Sequence, residues 1–194
     1  MEPRLSPNQL LDAYMVGYFP MADPDDFNQI AWYAPDPRAV LPLSEFNTPR
    51  SLRARIRRGD YRITSDHAFD RVIRFCADRE ETWISEDLIV AYSALHRLGY
   101  AHSVEAWEQD EIVGGLYGVA IGGLFCGESM FSIRTDASKV ALVYLVEKLI
   151  DQGYVLLDIQ FMTEHLRQFG AVEIPRVAYE EQLLKALAIG TTWI

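Results

Sequence analysis

Phe125-Cys126-Gly127-Glu128-Ser129-Met130-Phe131-Ser132 and, further on, Leu157-Asp158-Ile159-Gln160 decide how this chain is read, because each ends an apolar, strand-like run with an acid. Side chains alternate across an extended segment, so Leu156, Asp158 and Gln160 are expected on one face, the carboxylate beside the amide. The same period sets Glu128 beside Cys126 and Met130, unless a bulge at Gly127 shifts the register. Two readings stand open at both places: strand-end acids that cap the following helices, or a site.

Working outward, Ala101 to Trp107, Ile112 to Ala120 and Leu124 to Met130 read as three extended runs joined by short turns, an antiparallel meander. A long helix is expected from about Ala137 to Gln152, then a strand over Val155 to Gln160, a short helix over Thr163 to Phe169 and a last helix over Tyr179 to Ala188. Upstream, Ser6, Pro7 and Gln9 open a helix with a capping box and Gly17 ends it. Tyr18 to Pro37 is aromatic and proline-rich, hence irregular but ordered. Thr48-Pro49 starts an Arg-rich helix that Gly59 stops, Asp66 precedes another helix, and Ser85-Glu86-Asp87 opens a third that stops at Gly99.

Helices, a meander, a crossover helix and a further strand make an α+β sheet whose third and fourth strands run parallel. That order resembles the acetyltransferase-like (GNAT) fold. The expected division is a small N-terminal segment, 1–45, packing on a catalytic domain, 46–194. In that fold the acyl donor enters where the two central strands splay, which would bring Glu128 and Asp158 to one cleft.

At 194 residues and 49% hydrophobic, the chain can bury one sizeable core. No apolar run approaches the roughly 20 residues needed to span a bilayer, and Met1-Glu2-Pro3-Arg4 leads straight into the capped helix, so neither secretion nor a membrane partner is expected. Two cysteines, Cys76 and Cys126, are too few for a disulfide framework and suit a cytoplasmic protein. The net charge of −10 argues against general nucleic-acid binding. Arg50, Arg53, Arg55, Arg57, Arg58 and Arg62, opposed only by Asp60, form either a solvated helix face or a local phosphate patch.

Where an acetyltransferase holds a pyrophosphate on a glycine-rich turn, this chain has Ser132-Ile133-Arg134-Thr135-Asp136-Ala137-Ser138-Lys139, without glycine and with an added acid. Coenzyme A is disfavoured as donor. Ser138 and Lys139 either cap the helix or meet a phosphate or ribose. A Cys126–His165 nucleophile lacks a local signature, and His67, His96, His102 and His165 are scattered without ligand spacing, so no metal and no cofactor is expected.

Several further stretches carry a family resemblance. They are Ala13-Tyr14 with Gly17-Tyr18-Phe19-Pro20, Ala34 to Leu41, Thr82-Trp83-Ile84, Gly114 to Gly118, Phe125 to Ser132, Ala137-Ser138-Lys139, and Asp158-Ile159-Gln160 with His165-Leu166 and Phe169-Gly170-Ala171. In this order the chain resembles the leucyl/phenylalanyl-tRNA-protein transferases. The resemblance implies transfer of Leu or Phe, with Met as an alternative donor residue, from aminoacyl-tRNA to proteins with N-terminal Arg or Lys, which marks them for degradation by the N-degron pathway. It implies an apolar donor pocket of Leu116, Phe125, Met130, Leu142, Leu145 and Leu157, while Tyr14, Trp83 and Trp32 either stack on the acceptor end or pack as ordinary core aromatics.

The chain departs from the family pattern at Met21, where many members have a tryptophan, and at Ile159, where a cysteine is common. Asp158, Gln160 and Glu128 are the expected catalytic residues. Gln160 accepts a hydrogen bond from the attacking amine, Asp158 fixes the amide, and Glu128 either completes an acidic recess for the cationic acceptor or holds the donor's ribose. An acyl-CoA transferase of the same fold and a non-catalytic RNA-binding protein are the competing readings.

Overall fold

A computed structural model describes residues 5–23, 25–27 and 29–194; the expected entry from residues 1–4 into the first helix lies outside the described residues. Helix α1 (Pro7–Met15) has the expected capping box, Ser6 and Gln9 bonding each other's backbone N–H. The stretch after it departs from expectation. Strands β1 (Phe19–Ala22) and β2 (Ile30–Tyr33) pair antiparallel as a small separate sheet, because proline and aromatics mask an alternation that the partner strand nevertheless satisfies.

The main sheet has seven strands in the order β4-β5-β6-β7-β8-β3-β9. The expected meander is β5 (Ala101–Glu108), β6 (Glu111–Ile121) and β7 (Leu124–Ser132), followed by the crossover helix α5 (Ala137–Asp151) and by β8 (Leu156–Gln160). β7 and β8 run parallel, as the acetyltransferase-like order requires. Three short strands join this frame: β3 (Arg38–Val40), β4 (Arg62–Ser65) and β9 (Val172–Ile174). β3 lies between β8 and β9, so a boundary after residue 45 leaves one strand of the main sheet on the N-terminal side.

The remaining helices follow the sequence closely. α2 (Arg50–Arg58) stops at Gly59 in the left-handed conformation that glycine adopts without strain, α3 (Phe69–Ala77) and α4 (Glu86–Arg97) follow, and α6 (Glu164–Arg167) is one turn. α7 (Arg176–Leu187) starts earlier than expected, at a proline that can precede a first turn without losing a hydrogen bond. Two apolar clusters sandwich the sheet. One packs α1, α3, α4 and α7 on it, and the other packs α5 on its opposite face. A Cβ on Gly114 would lie 2.6 Å from that of Ala137, so a bare glycine lets α5 settle this close to β6.

Candidate functional site

β7 and β8 are paired only over Leu124–Cys126 and Leu156–Asp158; beyond that they part, and a cavity of about 550 Å³ opens between them. Two backbone irregularities aim side chains into it. On β7, Tyr117 faces Ser129 but Gly118 faces Gly127, so Glu128 is the extra residue of a bulge. The expectation that Glu128 shares a face with Cys126 and Met130 therefore fails in the way the glycine allowed. Cys126 packs in the cluster with Tyr92 and Leu156, while Met130 packs in the opposite one with Leu116 and Leu142. Gly118 is required here, since a Cβ would come within 2.2 Å of the Cys126 carbonyl oxygen.

On β8 the second irregularity is Gln160, whose φ of +58° is left-handed for a residue with a side chain. Such strain costs about 1–3 kcal/mol and persists where the surroundings over-determine it. It breaks the alternation that would have set Gln160 beside Asp158. Gln160 instead lines the cleft with Leu157 and Ile159, and its Nε2 donates to Glu128 Oε1 at 2.9 Å. Glu128, not Asp158, thus fixes the amide. Ile159, at the position where the family commonly has a cysteine, is a wall of the cleft.

Asp158 is wholly buried and does not line the cavity. Its carboxylate receives Arg38 Nε at 2.9 Å and a second guanidinium nitrogen at 2.6 Å, the Tyr179 hydroxyl at 2.8 Å, and the Gln160 backbone N–H at 3.0 Å. Arg38 lies between the rings of Phe19 and Tyr179, 4.8 and 4.6 Å from their centres, and also bonds the Gly17 carbonyl. Asp158 therefore acts on Gln160 through the backbone, anchoring the strained residue, and its charge is compensated before it reaches the cleft. Nothing in the local sequence around residue 38 signals this partner.

Among the described residues that line the cleft, Glu128 is the one acid. The Tyr92 hydroxyl donates to its Oε2 at 3.0 Å; with that proton committed, the Tyr14 hydroxyl, 2.5 Å from Tyr92, donates in turn. Burial, opposed by these hydrogen bonds, raises the Glu128 carboxyl to about 7. Burial and the charge of Glu128 push both tyrosines well above their ordinary value, so they stay protonated donors at neutral pH. Tyr14, only 1% exposed, has no face to offer a base, which corrects its expected stacking role.

The apolar end of the cleft is lined by Leu116, Met130, Leu142, Leu145, Leu157 and Leu166. Phe125 is a correction. It sits where β7 and β8 are still paired, fully buried, its ring stacked on Trp193 at 5.5 Å. Of the aromatic candidates, Trp83 lines the rim with Met21 and Phe19, and its carbonyl accepts from the Ala22 N–H, tying that loop to β1. Trp32 is exposed on β2 and does not line the cavity. Cys126 is buried, and burial with the nearby Asp158 raises its thiol, which leaves no thiolate nucleophile. His165 does line the cleft.

The arginine stretch divides. Arg55 pairs with Asp60 and Asp136, Arg58 pairs with Asp60, and Arg62, on β4, stacks over Trp107. Arg50, Arg53 and Arg57 are exposed and make no ion pair among the described residues. At the start of α5, Asp136 is left-handed and its carboxylate holds both Arg55 and Lys139. An acid thus occupies the place where a pyrophosphate would need bare N–H groups.

The family model described as leucyl/phenylalanyl-tRNA protein transferase matches residues 40–184, and the model of that family's N-terminal domain matches residues 4–36. A leucyl/phenylalanyl-tRNA–protein transferase of Herpetosiphon aurantiacus is 54% identical over 194 residues, covering the whole of both chains. One of Salinibacter ruber is 50% identical over 193 residues, covering 100% of this chain and 85% of that one. Among solved structures, L-PGS of Bacillus licheniformis aligns with a TM-score of 0.48 at 11% identity, covering 80% of this chain and 66% of the other. A GCN5-related N-acetyltransferase of Kribbella flavida aligns with a TM-score of 0.47 at 11% identity, over 72% and 55%.

Proposed function

The chain belongs to the leucyl/phenylalanyl-tRNA protein transferase family, and from that membership we propose that it moves Leu or Phe from aminoacyl-tRNA to the α-amino group of proteins with N-terminal Arg or Lys, in the cytoplasm, without coenzyme A. The observation that carries the reading is the junction of a leucine- and methionine-walled pocket with an amide held at its mouth, the Gln160 side chain gripped by Glu128. An ionised carboxylate only accepts hydrogen bonds, so it holds the amide Nε2 toward itself and leaves Oε1 as the acceptor facing the cleft.

The aminoacyl side chain enters the apolar end, which brings the ester carbonyl to Gln160. The acceptor's α-amine, with a reference pKa of about 7.7–8.0, is partly neutral at cellular pH and donates one N–H to Gln160 Oε1. Its lone pair adds to the carbonyl carbon, the bond to the ribose oxygen breaks, and the proton lost by nitrogen ends on that leaving oxygen. An activated ester needs little more than this alignment, which can supply roughly 7–11 kcal/mol of the barrier. Glu128 supplies the negative potential that favours a cationic N-terminal residue. Asp158 contributes none, being neutralised by Arg38. Trp83 and Met21 at the rim take the terminal adenosine, and Arg50, Arg53 and Arg57 meet tRNA phosphates further out.

The test is direct. Purified protein with labelled Phe-tRNA and a peptide beginning with Arg should yield Phe-Arg-peptide, whereas acetyl-CoA with the same peptide should yield nothing. Acetyl transfer, or tRNA binding without transfer, would overturn the reading.

A further inference from the structure

Past Met130 the cleft continues into a shallower groove lined by Phe75, Asp78, Phe131, Ser132 and Ile133, and Arg79 borders both. Arg79 follows α3 and is exposed, yet it is not loose. Its Nε donates to the Cys76 carbonyl at 2.8 Å and one terminal nitrogen donates to Ser129 Oγ at 2.7 Å, with Met130 O further off at 3.4 Å. The guanidinium is thereby fixed to β7, one residue from Glu128. Among the described residues the other terminal nitrogen has no partner, and neither Asp78 nor Glu80 nor Glu81 forms an ion pair with it. Beside it the Phe75 and Phe131 rings stack at 4.8 Å, and Ile133 is 52% exposed. A fixed cation next to an aromatic and apolar face is the pairing that single-stranded nucleic acid requires, one part for phosphate and one for base.

We infer that this groove binds the penultimate nucleotide of the donor's acceptor end, with Arg79 pairing to the phosphodiester that joins it to the terminal adenosine. The inference rests on the transfer reading above. An ester held at Gln160 and an adenosine at the Trp83 rim leave the preceding phosphate to exit along a surface continuous with the cleft, and Arg79 is the arginine at that edge. Among cleft-lining residues the other ionisable nitrogen is His165, which burial, together with Lys139, keeps neutral.

Three donors separate the outcomes: phenylalanyl-adenosine, which has no phosphodiester, phenylalanyl-cytidylyl-adenosine, which has one, and Phe-tRNA. Native protein should use the dinucleotide better than the nucleoside, and salt should erode that advantage with a log–log slope of about 0.7 for the single phosphate. Arg79→Gln should lower kcat/KM on the dinucleotide and the tRNA on the order of tenfold while changing the nucleoside less than about twofold, and Arg79→Lys should restore part of the loss. An exposed arginine is replaceable without unfolding, which a melting curve verifies. Equal loss on all three donors would make Arg79 a brace for β7 and overturn the inference. So would no loss on any. Failure of native protein to transfer from Phe-tRNA would instead sink the parent reading.

Discussion

Replacing Asp158 by Ala should unfold this protein more than it disables any chemistry. Asp158 and Arg38 are 0% and 1% exposed, and the carboxylate takes both guanidinium bonds, the Tyr179 hydroxyl and the Gln160 N–H. Removing it leaves a guanidinium buried without a counter-charge, which costs about 3–5 kcal/mol. Each kilocalorie lowers the melting temperature of a chain this size by about 2–4 °C, so Asp158→Ala should melt roughly 6–20 °C below the native protein. Gln160→Ala removes a side chain that among the described residues bonds Glu128 alone, so it should lose transfer while melting close to native. Arg38→Met with Asp158→Leu removes both charges at once and should recover a large part of the stability that Asp158→Ala alone forfeits. Thermal melts followed by circular dichroism, run beside the transfer assay, measure all three variants. If Asp158→Ala melts within about 2 °C of native protein yet transfers nothing, Asp158 works on the reacting groups and the anchoring argument is wrong.

Glu128 gives a pH signature. A carboxyl raised to about 7 in the fold is stabilised in its protonated form, so its contribution to stability is present at acid pH and is lost as pH rises from its unfolded value through 7. Transfer should run the other way, rising through about pH 7 as Glu128 ionises and fixes Gln160, and Glu128→Gln should remove that limb while leaving the one due to the acceptor amine. Glu128→Gln should also raise KM for an Arg-peptide more than for a small neutral amine; equal effects would assign Glu128 to the donor. Reversing Arg53 and Arg57 together should reduce the salt slope of tRNA binding by roughly 0.7–0.9 for each phosphate no longer neutralised, whereas reversing Arg58, already paired with Asp60, should change it little. Met130→Ala should reduce Leu transfer more than tRNA binding, since apolar walls discriminate by about 1–3 kcal/mol per methylene. Phe125→Ala should instead cost stability, by about 3–5 kcal/mol, because the ring is core.

The long helices and the meander were legible in the sequence because each repeats its apolar pattern over several turns or alternations, and because caps such as Ser6, Ser85 and Gly59 act within a few residues of chain. The parallel placement of β7 and β8 followed from the crossover helix between them, and the two acids ending those strands marked the cleft. β3 and β9, three residues each, are too short for any period to register, and they exist as strands only because β8 offers β3 an edge and β3 in turn offers one to β9. The inner arrangement of the site was decided by tertiary structure. Periodicity set Asp158 beside Gln160, but the pairing of Asp158 with Arg38, 120 residues earlier, buries the acid, and the bulge at Glu128 with the left-handed turn at Gln160 joins the amide to a different carboxylate. Local sequence specifies which face a residue takes in a regular strand. Departures from regularity are held in place by contacts that come from far along the chain, and only folding brings those together.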